Sequence, residues 1–438
     1  MDKRITVAEL FAGVGGFRLG LEGLRAEGHP SWNLPSAGPF ETIWANQWEP
    51  GSDARQFAAR CYARRFGTGE LVNRDIHLVM NEAEAGALDI PAVDMVVGGF
   101  PCQDYSVARS LSQAGGIEGK KGVLWWDIFR FLKYQIALDT ANARWCLFEN
   151  VDRLLKSPAS RRGRDFAIIL SCLASLGYAV EWRVVNSAAY GFSQRRKRVY
   201  IFAERAAPSW DIDARLRDGV MQGAFPMSID GGPRPVTIPP DPFEATRHFN
   251  EARTPSSPFL EAGVMVGDTA LTCHARESYD GVRGSLGDVL VPETEVPASY
   301  VIPSEQLPRW EYLKGAKRVP RKNKLTGHEY VYSEGAMAFP DLLENPSRTI
   351  LTGEGGTSPS RFKHVVKVNG RYRRLVPDEL DRLQGFPKGW TATGMTDGQR
   401  AFCMGNALVV GIPNRIGKAI VDVADEGRRA HEAGREDA

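Results

Sequence analysis

Apolar residues in the first half of the chain come in short runs of strand length, separated by segments with helical spacing. The runs at 5–12, 41–47 and 93–97 read as buried strands, and amphipathic segments follow the first two at about 17–27 and 51–66. Strands that alternate with helices in this way belong to parallel sheets. The pattern therefore predicts an α/β protein with a Rossmann-like sheet.

The same alternation continues to about residue 205 and then changes. We expect a short edge at 73–76, a helix at 123–138, a strand at 145–148, a helix at 165–176, and strands at 178–187 and 199–202. From about 206 the chain is rich in Pro and Gly, with short β-like pieces and no helical period. Three domain segments follow from this: a first, α/β domain at 1–205, a smaller, mostly β or irregular domain at 206–374, and helices at 375–438 that return to the first.

Composition excludes several classes of protein. The 438 residues are 43% hydrophobic, yet they include no apolar run of about 18 residues that could span a membrane. The amino terminus lacks the pattern of a signal peptide, so a cytoplasmic protein with reduced thiols is expected. Neither a disulfide framework nor a metal site is indicated, because the six cysteines form no CxxC pair: Cys61, Cys102, Cys146, Cys172, Cys273 and Cys403.

Basic residues are clustered although the net charge is only +2. The densest cluster lies at 309–324, where Trp310 and Tyr312 are interleaved with the charges, and smaller ones lie at 153–164 and 195–198. A single basic run is usually a solvated surface. Three of them, each beside a candidate functional segment, indicate a surface that binds a polyanion.

Two strand ends carry reactive groups. The strand at 93–97 stops at Gly98 and Gly99, and Pro101, Cys102 and Gln103 follow directly. The strand at 145–148 ends in Glu149. Ligands of α/β sheets bind at the carboxyl ends of the strands, so Cys102 would face a substrate as a nucleophile and Glu149 would lie beside it. The alternatives are a buried structural thiol and a helix-capping carboxylate.

The first strand runs into a glycine turn, FAGVGG at 11–16, and then into a helix. This arrangement lets a ligand approach the backbone at the start of a helix. Arg18 replaces the last glycine of the phosphate-binding GxGxxG pattern, which favours a nucleoside ligand without pyrophosphate, such as S-adenosylmethionine. A tight turn without a ligand is the alternative.

Taken together, these motifs resemble those of the DNA cytosine-5 methyltransferases. The resemblance spans about 400 residues and keeps the family order: FAGVGG, PCQ, ENV, QRRKR, RTILTGEGG, QGFP and GNALVV. It implies a Rossmann-like, S-adenosylmethionine-dependent methyltransferase fold in which residues 206–374 form the target-recognition domain.

The resemblance also implies a covalent mechanism. Cys102 would add to C6 of cytosine, because C5 becomes nucleophilic only after such an addition, and Glu149 would hydrogen-bond or protonate N3. Arg198 would hold the cytosine O2 and Arg196 would support a loop or a phosphate. The target base must be flipped out of the duplex, and Gln103 would lie near the space it leaves.

For the cofactor, the resemblance implies a pocket built from four separate segments. Gln47 stands where many relatives have a ribose-binding glutamate, and the carboxylate instead follows Trp48, at Glu49. We expect Gln47 to contact the ribose and Glu49 to face solvent or cap the next helix. The residues expected at the cofactor are Phe11, Ala12, Gly13, Gly15, Gly16, Gln47, Trp48, Asp75, Ile76, Pro101 and Asn406.

The implied partner is double-stranded DNA, bound by a monomer, with a cognate restriction endonuclease acting on the same site. Three rival functions remain at this point: an RNA cytosine-5 methyltransferase of the same fold, a catalytically silent DNA-binding regulator, and a zinc deaminase. The last requires HxE and PCxxC, whereas Gln103, Asp104 and Tyr105 follow Pro101-Cys102. The size of the 206–374 segment favours DNA over transfer RNA, and the presence of Cys102 and Glu149 favours an enzyme.

Overall fold

A computed structural model describes residues 4–26, 32–51, 55–100, 124–205, 210–322 and 327–436. Cys102 and Gln103, with Pro101, lie outside the described residues. No helix in the described part of the chain combines the length and apolar character that a bilayer crossing requires.

Ten strands of the described residues form one mixed sheet in the order β3-β2-β1-β4-β5-β8-β6-β10-β11-β9. The strands from β3 to β5 in this order are parallel, and the pairs from β5 onward are antiparallel. The bounds are β1 Ile5–Leu10, β2 Phe40–Asn46, β3 Leu71–Val72, β4 Met95–Gly99, β5 Trp145–Val151, β6 Tyr178–Asn186, β8 Lys197–Arg205, β9 Met227–Thr237, β10 Ala262–Val266 and β11 Thr269–Glu277.

Helices cover both faces of this sheet. The helices are α1 Gly16–Glu22, α2 Phe57–Phe66, α3 Ile76–Glu84, α4 Leu124–Leu138, α5 Arg164–Ser175, α6 Ile212–Asp218, α7 Val220–Ala224, α8 Pro242–His248, α9 Leu307–Lys314, α10 Pro377–Leu383, α11 Asp397–Asn406 and α12 Gly411–Glu436. Successive side chains of β1 enter different cores, Val7 with α1 and α12 and Ala8 with α3, α4 and α5. The predicted α/β class with a Rossmann-like sheet is confirmed.

Helix α12 packs against helix α1. The amide of Asn414 on α12 donates to the carbonyls of Gly20 and Pro35, both at 2.8 Å. A Cβ on Gly20 would come within 2.6 Å of Pro413, so glycine allows the close approach of the two helices. The start and the end of the described chain thus share one core.

The sheet continues past residue 206, where the sequence pattern predicts a new domain. Strands β9, β10 and β11 extend it, and helices α6, α7 and α8 are interspersed among them, although no helical period was expected there. Further along the chain, Ile350 and Val366 share a core with Val14 and Leu19. The predicted boundary therefore does not coincide with a break in the sheet.

Smaller sheets lie beyond it. β7 Gln194–Arg195 pairs with β14 Ser347–Arg348, β12 Lys317–Lys322 with β13 Glu329–Glu334, and β15 Val365–Val368 with β16 Arg371–Arg374. Three predicted boundaries are wrong. The helix expected at about 17–27 ends at Glu22, and the helix expected from residue 51 begins at Phe57. The edge expected at 73–76 is the two-residue strand β3 followed by α3.

Candidate active site

Strand β4 ends beside β5, with its last residue Gly99 opposite Glu149 in the parallel register. A Cβ on Gly99 would lie 3.2 Å from Glu149 Oε2, so glycine keeps the space beside the carboxylate clear. The Asn150 amide donates to the Phe100 carbonyl at 2.9 Å and fixes the last residue described before Pro101 and Cys102. The register therefore brings Gly99, two residues before the PCQ segment in the sequence, beside Glu149 of the ENV segment.

Arg198 on β8 reaches the same carboxylate from the antiparallel side of β5. Its Nε lies 3.0 Å from Glu149 Oε1, yet Oε1 accepts no hydrogen bond, so the contact is an ion pair without hydrogen-bond alignment. Arg198 also donates from Nη1 to the Lys197 carbonyl at 2.7 Å. Because the pair is imperfectly aligned, both groups keep hydrogen-bonding capacity for a third partner.

Arg196 is only 3% exposed and lies behind this pair. Its Nη2 donates to the carbonyls of Gly405 at 3.3 Å and Asn406 at 3.5 Å, whereas Nε and Nη1 have no partner among the described residues. Burial, reinforced by the nearby Arg198 charge, lowers the pKa of the Arg196 guanidinium to about 10. These contacts are those of a residue that holds the carboxyl end of α11, and its 3% exposure leaves almost no surface for a phosphate.

Gln194, which the sequence analysis did not single out, joins three motifs. Its buried amide donates to the Leu383 carbonyl and to Gln384 Oε1, both at 3.2 Å, and its Oε1 accepts the Ile350 N–H at 2.9 Å. Thr349 adds a hydrogen bond from its hydroxyl to the Arg195 carbonyl. QRRKR, RTILTGEGG and QGFP therefore meet at one buried glutamine, and their co-occurrence in the sequence was the available signal.

The glycine turn after β1 has the backbone that such a cradle needs. Gly13 and Gly15 have φ values of 57° and 85°, in the left-handed region that favours glycine. A Cβ on Gly15 would overlap the Phe66 ring, whereas one on Gly13 would meet no atom closer than 3.9 Å. Phe11 also has a positive φ, of 54°. Gly15 is thus required for packing, and Gly13 leaves its backbone open to a ligand.

Gln47 and Glu49 have different environments. Gln47 Oε1 accepts the Gly13 N–H at 2.8 Å, which places the amide against the glycine turn. The Glu49 carboxylate accepts the N–H groups of Phe57 at 2.9 Å and Ala58 at 3.3 Å and so caps α2. Trp48, between them, is half-buried. Glu49 is committed to the helix, and Gln47 is the residue of the two that lies at the cradle.

The other residues expected at the cofactor vary in exposure. Asp75 caps α3 by accepting the His77 N–H at 2.9 Å, and Ile76 is buried. Asn406 is exposed at the end of α11, while Ala12 and Gly16 are buried. Asp75 thus has a structural role whether or not it borders a ligand.

Glu9 is a second residue that the sequence analysis missed. It lies in β1 directly below the cradle, where its Oε1 accepts the Phe17 N–H at 3.2 Å and its Oε2 accepts the Tyr62 hydroxyl at 3.3 Å. Burial raises the pKa of the Glu9 carboxyl to about 8, against the opposing influence of Arg18. The signal was available as a lone carboxylate within an apolar run.

Metal chemistry finds no support among the described residues, which include no cluster of His, Cys, Asp and Glu arranged to hold an ion. The five cysteines described as free thiols are all buried: Cys61, Cys146, Cys172, Cys273 and Cys403. Burial raises the pKa of Cys61, for example, to about 11, which disfavours the nucleophilic thiolate.

Comparison with known proteins identifies the family. The model of the C-5 cytosine-specific DNA methylase family matches residues 5–422. The Type II methyltransferase M.Sau3AI of Staphylococcus aureus is 43% identical over 428 residues, 95% of each chain. M.HhaI of Haemophilus parahaemolyticus is 29% identical over 208 residues, 47% of this chain and 51% of the relative.

Solved structures give the same fold at lower identity. The Entamoeba histolytica methyltransferase EhMeth superimposes with a TM-score of 0.55 at 14% identity, covering 97% of this chain and 99% of its own. The Schizosaccharomyces pombe (S. pombe) Dnmt2 methyltransferase also has a TM-score of 0.55 at 14% identity, with 96% and 99% coverage. At this identity the likeness is one of fold alone.

Proposed function

The chain belongs to the C-5 cytosine-specific DNA methylases, and from this premise we propose which of its residues carry out the sequence-specific methylation of cytosine in DNA. The observation that carries the assignment is the edge of the sheet where Glu149 faces Gly99 and contacts Arg198 at 3.0 Å. A carboxylate and a guanidinium held together at the ends of strands can grip the polar edge of a cytosine.

In this proposal the Cys102 thiolate forms a bond to C6 of the flipped cytosine. Glu149 donates a proton or hydrogen bond at N3, which keeps negative charge from accumulating on the ring, and Arg198 binds O2. C5 then takes the methyl group, a base removes the C5 proton, and the bond between sulfur and C6 breaks. Arg196 acts as a positioning residue that holds the end of α11 at Gly405 and Asn406, and Gln103 lies beside the space the base leaves.

The methyl donor in this proposal is S-adenosylmethionine, which supplies an electrophilic methyl group when bound. The residues of the cradle fit a nucleoside ligand: Gly13 leaves room beside its backbone, Gln47 is aligned against it, and Trp48 is half-exposed for stacking on adenine. Phe11 and Gly15 would border the methionine part, Ile76 the adenine, and Asn406 the opening of the pocket.

Gln47 takes the place of the ribose-binding carboxylate. Because its Oε1 already accepts the Gly13 N–H, Gln47 offers the ribose hydroxyls its Nε2 donor, which has no partner among the described residues. A neutral donor lacks the charge assistance of a carboxylate. We therefore propose a ribose contact that is weaker than a glutamate would make.

The proposed substrate form is duplex DNA, and a restriction endonuclease of the same specificity is proposed as the functional counterpart, since M.Sau3AI is named a Type II methyltransferase. An RNA substrate is the second candidate. Parallel assays on duplex DNA and transfer RNA of equal concentration separate the two, because only the true substrate should accept methyl groups at a rate that rises with enzyme.

Covalent trapping tests the mechanism directly. Duplex DNA in which the target cytosine is replaced by 5-fluorocytosine should form a stable adduct, because fluorine at C5 cannot leave as a proton does. Peptide mapping by mass spectrometry should place the adduct on Cys102, and Cys102→Ala should form none. An adduct on another residue, or full turnover of the fluorinated DNA, would contradict the proposal.

A further inference from the structure

Strands β12 and β13 form an antiparallel hairpin that is separate from the ten-stranded sheet, and we name Lys317–Lys322 with Glu329–Glu334 the basic ribbon. Four of the six residues of β12 are lysine or arginine, whereas β13 carries two glutamates. Strand β12 lies within the basic cluster at 309–324, which indicates a polyanion in the sequence. Which residues of the ribbon would contact bases and which would contact phosphates is decided by its two faces.

The two faces of the basic ribbon differ. Directly paired residues of an antiparallel hairpin point to the same side. On the first face, Lys317 lies 3.9 Å from Glu334 and the Arg321 guanidinium lies 3.8 Å from the centre of the Tyr332 ring. The other face, which we name the open face, is exposed at every position: Arg318, Pro320, Lys322, Glu329, Val331 and Ser333.

One arginine fixes the direction of the ribbon. Arg361 donates to the carbonyls of Leu313 at 3.2 Å and Gly315 at 3.1 Å before β12, and to the carbonyl of Gly335 after β13. It also lies 3.4 Å from Glu334. We name Leu313, Gly315 and Gly335, which flank the hairpin, its root. Because Arg361 holds both ends of the hairpin there, the open face has a defined orientation while its side chains stay exposed.

We propose that the open face of the basic ribbon lies in the major groove of the DNA and reads part of the recognition sequence. This rests on the proposed action on duplex DNA. Arg318 contacts a guanine edge, Val331 provides an apolar contact, and Lys322, near the tip, contacts a phosphate. The occupant is DNA because positive charge dominates the ribbon and complements the phosphate backbone.

The geometry favours the groove over a backbone contact alone. A two-stranded ribbon is one of the elements that fits the width of the major groove. Arg318 makes no hydrogen bond or ion pair with another described residue, so its full fork of donors is available for O6 and N7 of guanine. Lys322 has a single exposed neighbour of opposite charge, Glu329 at 3.8 Å, and a lysine is suited to a phosphate as a point charge.

The test compares Arg318→Ala with Lys322→Ala. For each, the rate of methylation is measured on the preferred site and on every single-base variant of it, and duplex affinity is measured over a range of salt. We expect Arg318→Ala to lower discrimination at one base pair by roughly tenfold to a hundredfold, since a bidentate contact contributes about 1–3 kcal/mol. Lys322→Ala should weaken all duplexes alike and reduce the salt slope by about 1.

Arg4→Ala is the matched control, because Arg4 is an exposed arginine directly before β1, outside residues 206–374, and should change neither quantity. Unchanged site choice in Arg318→Ala would overturn the proposal, whether or not the salt slope changes. Affinity for the specific and a scrambled duplex is measured in parallel. A different outcome would contradict the proposed function and leave the ribbon proposal standing. In that outcome the wild-type protein methylates no DNA but still binds the specific duplex, and Arg318→Ala weakens this binding.

Discussion

Two arginines illustrate how differently the active-site edge and the basic ribbon hold charge. Arg196 is 3% exposed and hydrogen-bonded to the carbonyls at the end of α11, whereas Arg318 is exposed and makes no hydrogen bond or ion pair with another described residue. At the edge, strand register and burial fix each polar group, which suits chemistry that needs pre-organised atoms. In the ribbon only the root is fixed. Its side chains can adapt to a base sequence, and substitutions there should change specificity without changing the reaction.

The largest expected effect is the loss of methyl transfer when the nucleophile is removed. Cys102→Ala should reduce methyl transfer by more than about a thousandfold, because covalent addition at C6 is lost. Duplex affinity should persist, since phosphate and base contacts lie elsewhere. Rates of methyl incorporation and gel-shift affinities measure the two. Cys273→Ala, at a buried thiol of β11, is the control and should keep turnover. Turnover of Cys102→Ala near the wild-type rate would rule out the covalent route.

Glu149→Gln tests whether the carboxylate transfers a proton or only binds. The amide can still donate to N3 but cannot protonate it, so we expect methyl transfer to fall by roughly a hundredfold with DNA affinity little changed. Single-turnover rates at neutral pH give the answer. Full activity of Glu149→Gln would remove the proton-transfer role and leave hydrogen bonding alone.

Loss of the contacts that hold the two ends of the basic ribbon should impair site recognition and leave the cofactor site unchanged. Arg361→Ala removes three hydrogen bonds to the carbonyls that flank the hairpin, so discrimination between preferred and variant sites should fall by about tenfold as the open face loses its orientation. Affinity for S-adenosylhomocysteine, measured by calorimetry, should stay the same. A fall in cofactor affinity would show that the basic ribbon and the cofactor site are coupled.

Glu9 makes the unfolding free energy of the protein depend on pH. Its folded pKa of about 8 lies above the ordinary value of 4.5, so its stabilising contribution is complete below pH 4.5 and is lost as pH rises towards 8. Denaturant titrations between pH 6 and 8 should show unfolding free energy falling by at most about 1.4 kcal/mol per pH unit. Glu9→Gln should flatten this slope, and Glu305→Gln, an exposed control, should not.

The smallest effect concerns the ribose. Gln47→Glu should tighten S-adenosylhomocysteine binding about fivefold, because a charged acceptor adds roughly 1 kcal/mol. Glu49→Ala should leave affinity unchanged and instead destabilise the protein by about 1 kcal/mol, the usual effect of losing a helix cap. Calorimetric titration and thermal melting distinguish the two. A large loss of affinity in Glu49→Ala would make Glu49 the ribose ligand.

The sequence predicts the edge better than the ribbon for a physical reason. Apolar runs and glycine turns are local signals, so the parallel strands were predicted correctly. Glu149 lies two residues before the end of β5, which runs on to Val151 instead of ending at residue 148. The start of α2 was not predicted correctly, although a cap by Glu49 was one of the two expectations for that residue. The carboxylate lies eight residues before Phe57, so its position does not indicate where the helix begins.

The continuation of the sheet beyond residue 206 was missed for a different reason. β9 contains Gly231, Gly232, Pro233 and Pro235, residues that indicate loops in a sequence. They are tolerated here because β9 is the last strand in the sheet order, where a missing N–H faces no neighbour. For the basic ribbon, the sequence shows only a cluster of charges. The pairing of β12 with β13 in the structure is needed to tell which side chains share a face.

The contact between α12 and α1 has a consequence for the order in which the protein is made. The ribosome synthesises the cradle helix first and the helix that covers it nearly four hundred residues later. At roughly 5–20 residues per second, α1 waits tens of seconds before α12 can pack against it. A nascent chain released early would therefore expose the apolar side of its cofactor cradle, and methylating activity should appear only once translation has passed the last helix.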